Sequence, residues 1–430
     1  GSTHSLALKS DGTAWAWGKN DVGQFSGQLG DGTSTSQSTP VQVSGLTEVV
    51  AIAGGGVHSL ALNGDGTIWA WGSNQDGQLG DGTPQRSTLA PVSGLTGVMA
   101  VAVGHVYSLA LKGDGTVWYW GLKIDDNGWP LRTPRSTPVQ VNGLSGVKAI
   151  AAGIGQNLAL VSDGTVWEWG ERLWPLPQWS RPAPSPVSGL AEVVGIAAGG
   201  GHNLALKGDG TVWAWGDNDY GQLGDGTTTQ RAAPVQVSGL SGVVALAAGG
   251  VHSLALKGDG TVWAWGDNDN KNGPCTWEYG TATPQLTPVQ VLGLSGVLAV
   301  SASRMVVEGG FYCDHNLALR GDGTILAWGA NFSGQLGDGT TADGADYMKV
   351  KGPVQVSGLE GAVGGAAGGG MHSLAVKGDG TVWVWGANFT GQLGDGTTTG
   401  RLTPGKVSGL AGAVAVAGAS EHNLSLMHDG

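Results

Sequence analysis

The stretch that decides the fold reads His252-Ser253-Leu254-Ala255-Leu256-Lys257-Gly258-Asp259-Gly260-Thr261-Val262-Trp263-Ala264-Trp265-Gly266. Two short apolar runs flank Lys-Gly-Asp-Gly, which is a hairpin signal. Strand side chains alternate, so Trp263 and Trp265 share one face of their strand, and Leu254 and Leu256 share one face of theirs. Working outward, Val243–Ala248 precedes this hairpin and Pro288–Val291 follows it, each bounded by Gly, Ser and Pro. The unit therefore predicts four strands: A (Val243–Ala248), B (His252–Leu256), C (Thr261–Trp265) and D (Pro288–Val291). None of the runs is long enough for an ordinary helix.

The same unit is written along the whole chain. Its B motif recurs at His4, His58, His202, His315, His372 and His422, with weaker copies at Tyr107 and Gln156. There are eight Trp-Gly ends of strand C, from Gly18 to Gly386, and eight A runs, from Val49 to Val414. A repeat of about 50 residues with four antiparallel strands is the signature of a propeller blade. One such sheet cannot bury both faces alone, and packing blades around an axis does so. The expected fold is an all-β propeller of four-stranded antiparallel blades, spanning 1–430 as one domain. Eight blades are favoured over the seven that remain possible, because a seven-blade ring leaves one unit with bare apolar faces. Closure requires Val414–Gly418 to pair with His4–Leu8, and His422–Met427 competes for that edge.

Composition agrees. Glycine supplies 81 of 430 residues, far above the usual share of about 7%. It lacks the three-residue period of collagen, and a hydrophobic fraction of 40% is too high for disorder. No apolar run approaches the roughly 18 residues of a membrane span. The net charge is -12, and 14 of the 25 aspartates lie in Asp-Gly pairs of two recurring turns. The acidity is turn chemistry, and it argues against a nucleic-acid partner, which wants a basic stripe.

The pattern Gly-x-x-His-Ser-Leu-Ala-Leu-x-x-Asp-Gly-x-Val-Trp-x-Trp-Gly-x-Asn-x-x-Gly-Gln-Leu-Gly-Asp-Gly resembles the regulator of chromosome condensation repeat family, over the whole chain. The resemblance implies a β-propeller, usually of seven blades, from which eight Trp-Gly ends depart. It also implies a bacterial type, whose relatives include a secreted inhibitor that clamps its target enzyme with a loop face. An extracellular or cell-surface location is expected on that ground. The nucleotide exchange of the founding member has no supporting motif here. Nor do the Trp-Arg clusters of the plant ultraviolet receptor appear before the histidines. Because the chain begins just before a B strand and stops inside a B–C turn, it reads as an excerpt of a longer protein.

Seven of the nine histidines share one repeat position. One per blade around a wide ring cannot converge on a metal, so each is expected to bond a neighbouring backbone group. Asp217-Asn218-Asp219 and Asp267-Asn268-Asp269 resemble the start of a calcium loop but lack its terminal Glu, and they read as turns. No metal or cofactor is expected. No singular cluster of polar residues suggests catalysis, and the chain reads as a non-enzyme.

What remains are residues that break the pattern. Fifteen of the 19 tryptophans belong to the repeat. The other four are Trp129, Trp174, Trp179 and Trp277, in the C–D loops of the third, fourth and sixth repeats, which lack Gly-Gln-Leu-Gly-Asp-Gly. With them lie Arg132, Arg135, Arg181 and Tyr279, and the enlarged A–B segment of the next repeat adds Phe311 and Tyr312. A–B and C–D links of a meander fall on one face, so the irregularities gather there. Trp, Tyr and Arg in non-repeating loops are the composition of an interface. The expectation is a protein partner on this face. The rivals are local plugging by these tryptophans, a structural subunit of an extracellular assembly, or carbohydrate binding. Cys275 and Cys313, the only cysteines, fall on the same face and are expected to form a disulfide.

Overall fold

The computed structural model describes residues 4–22, 25–83, 89–104, 107–122, 135–170, 181–267, 284–303, 306–307, 311–312, 314–341, 351–367 and 371–418. They form eight four-stranded antiparallel sheets arranged as propeller blades, with no helix among the described residues. Blade 5 is representative, with strand A at Val193–Ala198, B at His202–Lys207, C at Val212–Gly216 and D at Arg231–Gln236. The eight inner A strands touch in sequence around the axis, and the last returns to the first. Blade 1 closes the ring: its A strand, Ala413–Gly418, comes from the far end of the chain and pairs with His4–Lys9, placing Ser5 opposite Gly418. The competing run His422–Met427 lies outside the described residues.

Strand D begins earlier than its apolar content suggests. In blade 6 it covers Gln285–Gln290, with Gly266 opposite Gln285 across a bulge. Its first residues, Gln285, Leu286 and Thr287, hold a single apolar side chain, too little for an apolar run to mark them. Strand C ends one residue later than expected, on Gly266.

Register explains the packing. Across the B–C hairpin of blade 6, Ser253 faces Trp265 and Ala255 faces Trp263, while Leu254 faces Ala264 and Leu256 faces Val262. Blade 6 therefore has a Trp–Ser–Ala face and a Leu–Ala–Val face, and the other blades keep this division with substitutions at single positions. The first face of one blade meets the second face of the blade before it. Trp265 packs among Leu204, Leu206, Val212 and Ala214 of blade 5. The receiving face is thus built on strand-B leucines as well as small residues, and Trp265 is fully buried there.

On one rim of the ring the B–C and D–A turns repeat with little variation. In Lys207-Gly208-Asp209-Gly210-Thr211, the Asp209 carboxylate accepts from the amide of Thr211 at 2.9 Å and from its hydroxyl at 2.7 Å. These bonds hold the Asp209 carboxyl below its usual pKa range, and Asp11, which also accepts from Lys9, is lowered to about 2. Lys207 spans back over Trp213, 5.9 Å from the ring centroid, a cation–π contact that recurs in blades 1, 3, 6 and 8. The A–B links and C–D loops emerge on the opposite rim.

Candidate binding face

On the loop rim, the Gly-Gln-Leu-Gly-Asp-Gly segment of one blade clasps the next. The carbonyl of Gln222 in blade 5 accepts from the indole N–H of Trp265 in blade 6 at 2.9 Å and from the Ser253 hydroxyl at 2.9 Å. Leu223 fills the same seam, fully buried. Gly224 lies so close to Trp265 that a Cβ there would sit 2.9 Å from the indole, and its φ of +66° also requires glycine. Asn218 ties the clasp internally, donating to the Thr227 carbonyl and accepting from the Leu223 amide. The same indole-to-carbonyl bond joins Trp71 to Gln28, Trp120 to Gln78, Trp385 to Gln335 and Trp17 to Gln392, all at 2.8–2.9 Å. Five of the eight seams are closed in this way.

The recurrent histidines complete the clasp. His4 Nε2 lies 2.8 Å from Ser59 Oγ of the next blade, and that hydroxyl points at the Gln28 carbonyl. The serine's single proton is directed at the carbonyl, so Nε2 carries the imidazole proton and donates to Oγ. The expectation of a backbone partner is corrected: the partner is a side chain one blade on, for His58 and Ser108, His202 and Ser253, His315 and Ser373, and His372 and Ser5. Burial pushes the His372 imidazole down to about 3 and lowers His4 well below its ordinary value. No group of side chains among the described residues could hold a metal ion.

Three seams differ: those entering blades 4, 5 and 7. They follow the three blades whose C–D loops lack the clasp. There the residue after the B-strand anchor changes from Ser to Asn, at Asn157, Asn203 and Asn316. Into blade 5 the chain supplies a substitute. Glu168 stands where most blades have Ala in strand C, and its two buried oxygens accept from Asn203 Nδ2 at 2.9 Å and Trp215 Nε1 at 3.1 Å. Into blades 4 and 7 no substitute appears among the described residues. Trp169 and Trp328 are 6% and 3% exposed, and their indole N–H groups have no hydrogen-bond partner. The seam into blade 7 carries one further feature. Asp314 receives the Gly250 amide at 3.0 Å and lies 3.1 Å from His252 Nδ1, while His252 Nε2 faces Asn316 Oδ1 at 2.8 Å. Burial pushes the His252 pKa down, but the Asp314 carboxylate more than offsets this, and the imidazole titrates above its usual range.

Of the expected interface residues, Trp129, Arg132, Trp174, Trp179, Trp277 and Tyr279 lie outside the described residues, as do Cys275 and Cys313. Phe311 and Tyr312 form one edge of a two-stranded ribbon with Val306–Val307 in the A–B link of blade 7, which puts them on the loop rim. Arg135 opens strand D of blade 3 opposite Gly121 and is half-buried. Arg181 opens strand D of blade 4 opposite Gly170. The position of these two recurs: Arg231 and Arg401 hold it in blades 5 and 8, where each pairs with the clasp aspartate, Asp225 or Asp395. Arg135 and Arg181 are therefore repeat positions whose clasp aspartate is missing from their own loops. The Ser-to-Asn change marks the three unclasped seams, and it was available in the sequence as a repeat-by-repeat correlation.

Comparison with known proteins gives a consistent result. A family model described as RCC1-like domain matches residues 175–430, and one for the regulator of chromosome condensation (RCC1) repeat matches residues 11–62 and 65–111. Protein RCC2 homolog of Danio rerio is 42% identical over 83 residues, 19% of this chain and 16% of that protein. E3 ubiquitin-protein ligase HERC2 of Homo sapiens is 40% identical over 85 residues, 19% of this chain and 2% of that protein. The matches thus span under a fifth of these relatives. Among solved structures, yeast RCC1 (Prp20) bound to Kap60 superposes with a TM-score of 0.62 at 22% identity, covering 94% of this chain and 85% of that one. A second structure, of Saccharomyces cerevisiae Prp20p, titled with its binding properties to Gsp1p and histones, gives 0.61 at 21% identity, covering 94% and 87%. At this identity the likeness is one of fold.

Proposed function

Because the chain belongs to the RCC1-like family of β-propellers, we propose that it is a non-catalytic protein-binding module whose partner sits on the loop rim, across blades three to seven. One observation carries the reading. Five seams are closed by an identical clasp, and the three departures all fall on one rim, in the loops that hold Trp129, Trp174, Trp179 and Trp277. A framework residue recurs because each blade solves the same packing problem, whereas a residue that serves a partner has no such reason to recur. The relatives support the mode of use: yeast RCC1 (Prp20) is seen bound to Kap60, and Saccharomyces cerevisiae Prp20p has binding properties to Gsp1p and histones. The recurrent histidines and serines are engaged in bonds from one blade to the next, which supports a scaffold rather than a catalyst. We extend the reading to an extracellular or cell-surface setting, on the resemblance alone. Intact mass before and after reduction tests that setting through Cys275 and Cys313.

The direct test is a pull-down with the intact chain beside one in which residues 122–134, 171–180 and 267–284 are each replaced by the blade 5 loop, residues 217–230. Capture by the first and not the second supports the reading. Equal capture by both removes the partner from this rim. Trp129→Ala, Trp174→Ala and Trp277→Ala should each weaken capture by about 2 kcal/mol with the melting temperature nearly unchanged.

A further inference from the structure

Resting on that reading, we infer that the seams into blades 4 and 7 are sockets for a peptide group of the partner, presented on a tight Gln-Leu-Gly-like turn. Three observations converge. Trp169 and Trp328 are more than nine-tenths buried, yet each indole N–H lacks an acceptor. A buried donor without a partner costs about 1–3 kcal/mol, and buried Trp N–H groups are usually paired. Second, the five clasped seams show what such a seam accepts: a backbone carbonyl 2.8–2.9 Å from the indole, with a leucine beside it. No loop leucine of this kind joins the described hydrophobic clusters around Trp169 or Trp328. Third, Asn157, the cross-strand neighbour of Trp169, is 2% exposed and its Oδ1 also lacks a partner. An unpaired donor beside an unpaired acceptor is the complement of one peptide group.

The chain shows that it can repair a lost clasp from within, since Glu168 does so for Trp215. At the position equivalent to Glu168, blade 3 has Tyr119, whose hydroxyl donates to the carbonyl of Leu122 in its own blade. Blade 6 has Ala264, too short to reach across the seam. Among the described residues the repair is made at one of the three unclasped seams and not at the other two.

The experiment uses the full chain, 15N-labelled at tryptophan, with the peptide Gly-Gln-Leu-Gly-Asp-Gly as probe. The indole signals are assigned through Trp169→Phe and Trp328→Phe. Millimolar peptide should move the Trp169 and Trp328 signals and leave those of Trp17, Trp71, Trp120, Trp265 and Trp385 in place. In the pull-down, each Phe variant should lose about five-fold in partner affinity, the equivalent of one hydrogen bond. The inference is overturned by unmoved Trp169 and Trp328 signals, or by indole protons that already exchange as slowly as the five clasped ones, which would mean that the chain fills its own sockets. Undiminished capture by both Phe variants, with capture lost in the loop-replaced chain, would sink the sockets and leave the binding face standing.

Discussion

The seams into blades 6 and 4 are built from the same strands and end differently. Into blade 6, Trp265 is held by the Gln222 carbonyl, flanked by Leu223 and steadied by Ser253. Into blade 4, Trp169 occupies the same register opposite Asn157 and has no acceptor. The difference separates two jobs that a single repeat normally does together. Strands B and C bury apolar surface whatever the loop, because their faces are fixed by alternation. The loop adds a directional bond that only one backbone geometry can supply. A blade can give up its clasp and keep its core, which is how a repetitive ring gains a non-repetitive rim.

The largest expected effect tests the shared part. Trp265→Ala removes a fully buried indole and should cost about 3–5 kcal/mol of stability, read from chemical denaturation. Trp215→Ala should fall in the same range, since both seams depend on the same burial. Next comes the substitute clasp. Glu168→Ala leaves Trp215 and Asn203 without their acceptors and should cost about 1–3 kcal/mol for each donor stranded.

Acid separates the seams by their histidines. His4 and His372 have depressed folded pKa values, so their contribution is complete above the unfolded value of about 6.5 and is lost as pH falls below it, for His372 down to about 3. The loss should reach about 1.4 kcal/mol per pH unit for each. His372→Gln should flatten this limb, and blade 4 already tolerates glutamine at that position, in Gln156. His252 has the opposite sign. Its folded pKa is raised, so its pairing with Asp314 is complete below about 6.5 and is lost as pH rises through the folded value. Denaturation midpoints across pH 4–8 for the wild type, His372→Gln and His252→Gln check both signs.

The smallest effect is the sharpest for the comparison. Trp265→Phe loses a made hydrogen bond and should cost about 1 kcal/mol more than Trp169→Phe, which removes a donor that has no partner. Equal costs would show that the two indoles are equally well satisfied.

The ring, the blade count and its closure were legible because they rest on alternation and repetition, which a sequence displays directly. Trp263 and Trp265 on one face, and Val414–Gly418 beside His4–Leu8, needed nothing more. The histidine partner was not legible, since Ser59 lies 55 residues beyond His4 and only the ring brings them together. The start of strand D, residues 285–287, was missed because only Leu286 of the three is apolar. Of the loop rim, the divergent loops stood out by their failure to repeat. The clasp was visible only as the string Gly-Gln-Leu-Gly-Asp-Gly, which reads as a turn until Trp265 is seen against it. Arg135 and Arg181 passed for irregular residues because the polar beginning of strand D had not been recognised as a repeat position.

The central claim is that an absent clasp leaves the blade 4 seam incomplete. Its most direct test is a restored clasp: the blade 5 loop, residues 217–230, in place of residues 122–134, combined with Asn157→Ser. The account predicts a gain of about 2 kcal/mol in unfolding free energy, from an indole bond and a hydroxyl bond that the natural seam lacks. A restored clasp that leaves stability unchanged or lowers it would contradict the account, because the natural loop would then already complete that seam.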